Sequence, residues 1–310
     1  MEIRTHLSGS RAETLLDSGI CAGTTGADMQ SSLKGLRPRF LSDLIRIGNP
    51  FDGGYVINER AILSSRYLVS FGVNDDWSFE ADFLAHKPGL KIFCFDHSVS
   101  RQVFRKKLQD NVNETFSLRF LLSFLSLNIR GVRQRISNLR DAARLHSRFS
   151  AFFTGKNVRF IQKGLSNERD QQFVTLDDVF QMIPQQERLE NSVFLKMDIE
   201  QSEYRVLPTL EKYEKYINGM VVEFHDLDIL WSNFVDLMST LRNCFEITHV
   251  HGNNFGGLIP DSQTPKVLEI TFVKKALISE SQRPDEEVIY PVPELDRPND
   301  PYKKDYPLYF

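Results

Sequence analysis

Short apolar runs, each closed by glycine or polar residues, recur along the chain and alternate with stretches whose apolar residues fall at helical spacing. Tyr67–Phe71, Lys91–Phe95, Asn157–Ser166, Val193–Ile199, Gly219–His225, Phe245–His251 and Val267–Lys274 read as strands. The central ones are apolar at nearly every position, as strands of a parallel sheet buried on both faces must be. Helical spacing follows in Trp77–Leu84, Phe173–Phe180, Tyr204–Leu210 and Trp231–Cys244, with Thr175 and Asp177 available to cap the second of these. Strand alternating with helix predicts an α/β fold: a mostly parallel seven-stranded sheet, helices on both faces, and a last strand that returns antiparallel. The stretch VFLKMDIEQSEYRVL, residues 193–207, organises the rest, because it is a core strand that surfaces in carboxylates and runs into a helix.

Other stretches fix the boundaries. Residues 1–39 are polar and weakly periodic and read as a partly flexible N-terminal arm. Residues 40–280 form the main domain, and within them 99–153 break the alternation with a helical, basic insert. Upstream of the first core strand, Asp52-Gly53-Gly54 is a turn signature followed by the short strand Tyr55–Ile57. The last thirty residues, 281–310, are Pro-rich and read as a tail packed on the domain.

Charge changes this picture in one place. The chain of 310 residues carries a net charge of −3, which argues against a dedicated nucleic-acid binder. Residues 101–150, however, hold eleven Arg or Lys against three Asp or Glu, so the insert is a candidate contact for an anionic substrate or surface. The most apolar run, Leu118–Ile129, is too short for a transmembrane segment, and no secretory signal is read in the first thirty residues. Cys21, Cys94 and Cys244 form no C-x-x-C pair, so a reducing, cytoplasmic setting is expected.

Candidate chemistry lies at the carboxyl ends of the strands, where α/β sheets bind ligands. Gly72 opens the turn after the first core strand, but Asn74 and Trp77 stand where a dinucleotide fingerprint needs glycines, which disfavours NAD and FAD. Asp96, at the tip of the second strand, is placed to accept both ribose hydroxyls of an adenosine ligand. Asp198 and Glu200 end the organising strand, and His225 ends the next, where it is the first choice for a general base. His249-x-His251 with Asn253 and Asn254 forms a second polar group, and Asp52 with Tyr55 a third; both are expected to meet substrate. Asp198 and Asp226 could share a Mg²⁺, but no third oxygen ligand is evident and no metal is predicted.

GVNDDWSFE, FDHS, TLDDVF, LKMDIEQSEYRVL and VLEITFVKK, in that order and at that spacing, resemble an FkbM-type methyltransferase of the class I, S-adenosylmethionine-dependent family. RIGNPFDGGYVI and HVHGNNFGG are similar to segments of some members, and the likeness spans roughly residues 43–300. The resemblance implies a Rossmann-like sheet with S-adenosyl-L-methionine as cofactor. By position it implies that Gly72, Asn74 and Glu80 line the methionine and ribose part, and that Asp96 holds the ribose. Gly164, Leu165 and Ser166 then border adenine, with Asp198 and Glu200 in the reaction crevice. It also implies O-methylation of a sugar, glycan or other polyhydroxylated small molecule. Asn74 and Gln201 replace small residues of the family pattern. Two alternatives therefore stay open: a non-catalytic adenosine-ligand-binding relative, and a metal-assisted transferase using Asp198 and Asp226.

Overall fold

The computed structural model describes residues 33–39, 41–115, 117, 129–278 and 289–310. Most of the expected N-terminal arm, the apolar middle of the insert and the start of the expected tail lie outside the described residues. In chain order, β1 (Leu44–Gly48) and β2 (Gly54–Asn58) form an antiparallel hairpin, and α1 (Glu59–Ser64) leads into β3 (Tyr67–Phe71). Next come α2 (Ser78–His86), β4 (Lys91–Phe95), the insert helices α3 (Arg101–Thr115) and α4 (Ile129–Phe153), and β5 (Val158–Ile161). The small pair β6 (Gly164–Leu165) and β7 (Phe173–Val174) precedes α5 (Leu176–Met182), β8 (Val193–Met197) and α6 (Glu203–Val206). The chain closes with β9 (Ile217–Phe224), α7 (Leu227–Leu241), β10 (Phe245–Gly252) and β11 (Leu268–Lys274).

The main sheet has seven strands in the order β10-β11-β9-β8-β3-β4-β5, with β11 antiparallel between β9 and β10. It is the expected Rossmann-like architecture. Alternation along each strand splits the core into two layers. Tyr67, Val69 and Phe71 pack with Leu195, Val222 and α7 residues such as Phe234 on one face. Leu68, Ile92 and Phe194 pack with Phe79 and Phe83 of α2 on the other.

Register decides where the strands end. Tyr67 is level with both Lys91 and Val193, so Phe71, Phe95 and Met197 finish in one row, and Met197 is level with Val222. One residue further, Gly72, Asp96, Asp198 and Glu223 therefore open on a single edge of the sheet. The winding direction reverses between β3 and β8, which is where ligand crevices form in such sheets.

The structure departs from the sequence reading in two local details. The run 157–166 is not one strand: β5 ends at Ile161, and β6 leaves the main sheet to pair with β7. Thr175 does cap α5, but its capping-box partner is Asp178, while Asp177 turns to the Tyr213 hydroxyl 2.8 Å away. In the insert, Phe104, Phe149 and Phe153 pack around Trp77, and the Arg148 guanidinium lies 5.4 Å from the Trp77 ring. Residues 289–310 run over β10, burying Tyr290, Val292 and Leu308. No helix among the described residues is long and apolar enough to cross a membrane.

Candidate active site

The turn after β3 needs its glycine. Gly72 has φ +76°, and a Cβ there would stand 1.7 Å from the Asp198 carbonyl oxygen, so any side chain would push β3 and β8 apart at their tips. Two residues on, Asn74 takes a left-handed backbone (φ 47°) that aims its N–H at Asp96 Oδ2, 2.8 Å away. The other Asp96 oxygen accepts from the Ser98 N–H and hydroxyl, both at 2.7 Å. Gly72, Asn74 and Asp96 are thus one connected unit, and Asp198 presses against it.

Strain gathers around the same edge. Glu200 (φ 44°), Gln201 (φ 73°) and Asp226 (φ 51°) are also left-handed, in the loops that leave β8 and β9. Each such residue costs roughly 1–2 kcal/mol relative to an ordinary backbone, so the surrounding contacts must impose it. One of those contacts is the hydrogen bond from the Gln201 amide to the Asp226 carboxylate.

Beyond β8 and β9 the ionisable groups crowd together. His225 Nδ1 lies 3.0 Å from Glu203 Oε1, and its Nε2 faces Asp198 Oδ1 and Glu223 Oε1, each at 3.7 Å. Glu223 is held from behind by the Tyr55 hydroxyl at 3.2 Å and the Asn253 amide at 2.8 Å. Burial alone would lower the His225 pKa, but the bond to Glu203 and the charges of Glu223, Glu203 and Asp198 outweigh it and push it up to about 10. His225 is an imidazolium at neutral pH, not the half-titrated imidazole expected from its ordinary range. Solvent reaches one side of Asp198, yet it is enclosed enough for burial to raise its pKa to about 6, against the pull of Lys196 and His225. Burial, then the Asp198 and Glu269 charges, hold Glu223 well above the usual carboxylate range.

Sequence reasoning gave no functional weight to Lys196 or Glu203. Lys196 sits inside a strand of otherwise apolar residues, is buried, and donates from Nζ to the Gly72 carbonyl at 2.8 Å. Its charge draws the neighbouring carboxylates together, and Glu80 is among them. Glu80 is fully buried, accepts from the Ser70 hydroxyl, and supports the turn from below. A lysine inside a buried strand was the available signal. Glu203 is also fully buried and holds His225.

Not every expected residue reaches this edge. Asn253 and Tyr55 do, through Glu223. His249, His251 and Asn254 do not, because carboxylates and backbone from residues 289–310 cover them. His249 Nε2 stands 3.2 Å from Asp296, and His251 lies between Glu269 at 3.2 Å and Asp305 at 3.0 Å. Asn254 binds the backbone of Asp300 through both ends of its amide. Asp52 accepts from Asn299 at 3.2 Å. Gly164 packs on the Phe173 ring and beside His97, one residue past Asp96; Leu165 is core, and Ser166 is half-buried.

Residues 70–246, more than half of the chain, match the methyltransferase FkbM domain profile. The chain belongs to the FkbM methyltransferase domain family. The matched span of the FkbM domain runs from β3 through α7 into β10 and contains every residue of the edge just described except Tyr55 and Asn253. No curated protein matches the chain. Similar solved structures include a precorrin-6y C5,15-methyltransferase from Geobacter metallireducens GS-15, with 10% identity, 86% of this chain and 98% of that chain covered, and a TM-score of 0.32. An O-methyltransferase from Bacillus cereus in complex with SAH has 10% identity, covers 84% and 96% of the two chains, and has a TM-score of 0.32.

Proposed function

We propose that this FkbM domain transfers a methyl group from S-adenosylmethionine to a hydroxyl of a sugar, glycan or other polyhydroxylated small molecule. The observation that carries the reading is the convergence of Gly72, Asp96 and Asp198 on one edge at the switch point of the sheet. The donor set suits the ligand. Asp96 Oδ2 accepts one hydrogen bond within the protein, so it has a lone pair left for a ribose hydroxyl. Asp198 has Glu200 and Glu203 close by at the same strand end, an acidic setting that favours a ligand bearing positive charge.

When bound, S-adenosylmethionine supplies an electrophilic methyl carbon on a sulfonium. The chain's own residues do the rest. Asp198, ionised above about pH 6, accepts the proton of the acceptor hydroxyl as its oxygen forms the new bond to carbon, while the carbon–sulfur bond breaks and S-adenosylhomocysteine leaves as a neutral thioether. His225, kept charged by Glu203, stands beside the developing negative oxygen and steadies it. Gly72 and the Asn74 N–H fix the carboxylates' position, so alignment rather than acid strength supplies much of the rate. The choice of a hydroxylated acceptor rests on family membership.

Calorimetry with S-adenosylhomocysteine and with NADH, joined to a methyl-transfer assay on a panel of sugars and glycans, tests this. The first ligand should bind and the second should not. His225→Ala should keep S-adenosylhomocysteine affinity while losing most turnover. NADH binding, or no binding of either, would refute the proposal.

A further inference from the structure

The group formed by Asp198, Glu223 and His225 has a geometry that a proton-transfer role does not require. His225 Nε2 is 3.7 Å from Asp198 Oδ1 and 3.7 Å from Glu223 Oε1, too far for hydrogen bonds, and the three ligand atoms lie within 4.8 Å of one another. Donors about 2.0–2.2 Å from a shared cation stand roughly 3–3.6 Å apart, so the two separations from His225 are already within a few tenths of an ångström of that spacing, and the two carboxylates would draw together around the ion.

The His225 ring and the Glu223 carboxylate are also held by hydrogen bonds, and Asp198 is anchored through its backbone. Glu203 Oε1 takes the Nδ1 side of the His225 ring, which leaves Nε2 facing the carboxylates; this carboxylate–histidine arrangement commonly orients a metal-bound imidazole. The Tyr55 hydroxyl and the Asn253 amide hold Glu223, and the Asp198 N–H is anchored on the Phe71 carbonyl at 3.1 Å. Glu203 is fully buried, and its second oxygen has no hydrogen-bond partner. Entry is open on one side, since the Asp198 side chain is 32% exposed.

We infer that Asp198, Glu223 and His225 bind one divalent first-row cation of the Mn²⁺ or Zn²⁺ kind through one nitrogen and two carboxylate oxygens, the ion displacing the His225 Nε2 proton to solvent as it enters. The mixed donor set suits such ions better than Mg²⁺, which prefers oxygen alone. Asp226, the second ligand of the metal-assisted alternative, is instead tied to Gln201, while Glu223 and His225 are two residues apart at the strand end. Next to Gly72 and Asp96, the ion would stand where an acceptor hydroxyl could bind it and become more acidic. The site itself does not depend on the methyl-donor reading.

Mn²⁺ titrated into the metal-stripped full chain, followed by calorimetry and by the electron-spin signal of free Mn²⁺, should saturate at one ion per chain. Asp198→Asn and His225→Gln should each weaken binding at least ~10-fold, and Glu203→Gln, a positioning change, roughly 10-fold. His251→Gln should leave it unchanged. Asp198→Asn alters the most exposed donor, and thermal melts of each variant show whether the fold persists. No saturable binding, or binding indifferent to Asp198→Asn and His225→Gln, would overturn the inference. S-adenosylhomocysteine titrated into the same metal-free sample reads the methyl-donor proposal separately, so either can fail alone.

Discussion

Two histidine–carboxylate clusters sit on this sheet, and they differ in what covers them. Around His225, three carboxylates and a buried lysine meet at strand ends where solvent still reaches Asp198 and several loop residues are left-handed. Around His251, Glu269 and Asp305 take both ring nitrogens, and residues 289–310 close over the top. The same residue types give a site in the first case and a clasp in the second. What separates them is that solvent reaches the first and residues 289–310 cover the second.

The largest expected contrast is between chemistry and stability. Asp198→Asn should lower methyl transfer at least ~100-fold with little change in melting temperature, because it removes the proton acceptor but keeps the shape. His251→Gln should do the reverse. It leaves buried Glu269 and half-buried Asp305 without their cation and should cost about 3 kcal/mol in denaturant unfolding, while turnover per folded molecule stays close to wild type. A large loss of turnover in folded His251→Gln would erase the distinction.

The clasp should also carry a pH signature. Burial works to lower the His251 pKa, but the bonds to Asp305 and Glu269 push it up to about 10. A histidine raised above its unfolded value of about 6.5 stabilises fully below that pH, and the stabilisation is lost as pH rises through about 10. Melting temperature should therefore fall between pH 7 and 10, and His251→Gln should flatten that fall.

The smallest effect sharpens the other side. Gln201 holds a left-handed turn that glycine adopts freely, so Gln201→Gly should stabilise the fold by about 1 kcal/mol less whatever its bond to Asp226 contributes. If the variant is instead destabilised, the Gln201–Asp226 contact outweighs the strain.

These contrasts also mark what the sequence could reveal. Strand tips were legible, because apolar runs ending in Asp96 and Asp198 have few structural reasons to end that way, and matching strand lengths brought them into one row. The pair His249 and His251 was legible as sharing a face, but not as covered. Their partners Asp296 and Asp305 come from a segment some fifty residues away, which periodicity does not connect to β10. Lys196 was hidden because its neighbours are all core residues, and its role is visible only once Gly72 and Glu80 are placed around it. Glu223 lies inside the run Gly219–His225 that reads as a strand, yet Asp226 drew the metal alternative. A two-residue step, not sequence nearness to the helix, decides which side chain joins His225 on one face.

The most direct measurement is calorimetric titration of S-adenosylhomocysteine into wild type, Asp96→Ala and His251→Gln under conditions where all three are folded. Wild type and His251→Gln should bind within about twofold of each other, and Asp96→Ala should bind at least ~10-fold more weakly, as expected for the loss of a charged hydrogen-bond acceptor. Equal affinity for Asp96→Ala, or loss of binding only in His251→Gln, would contradict the placement of the donor site at the strand tips.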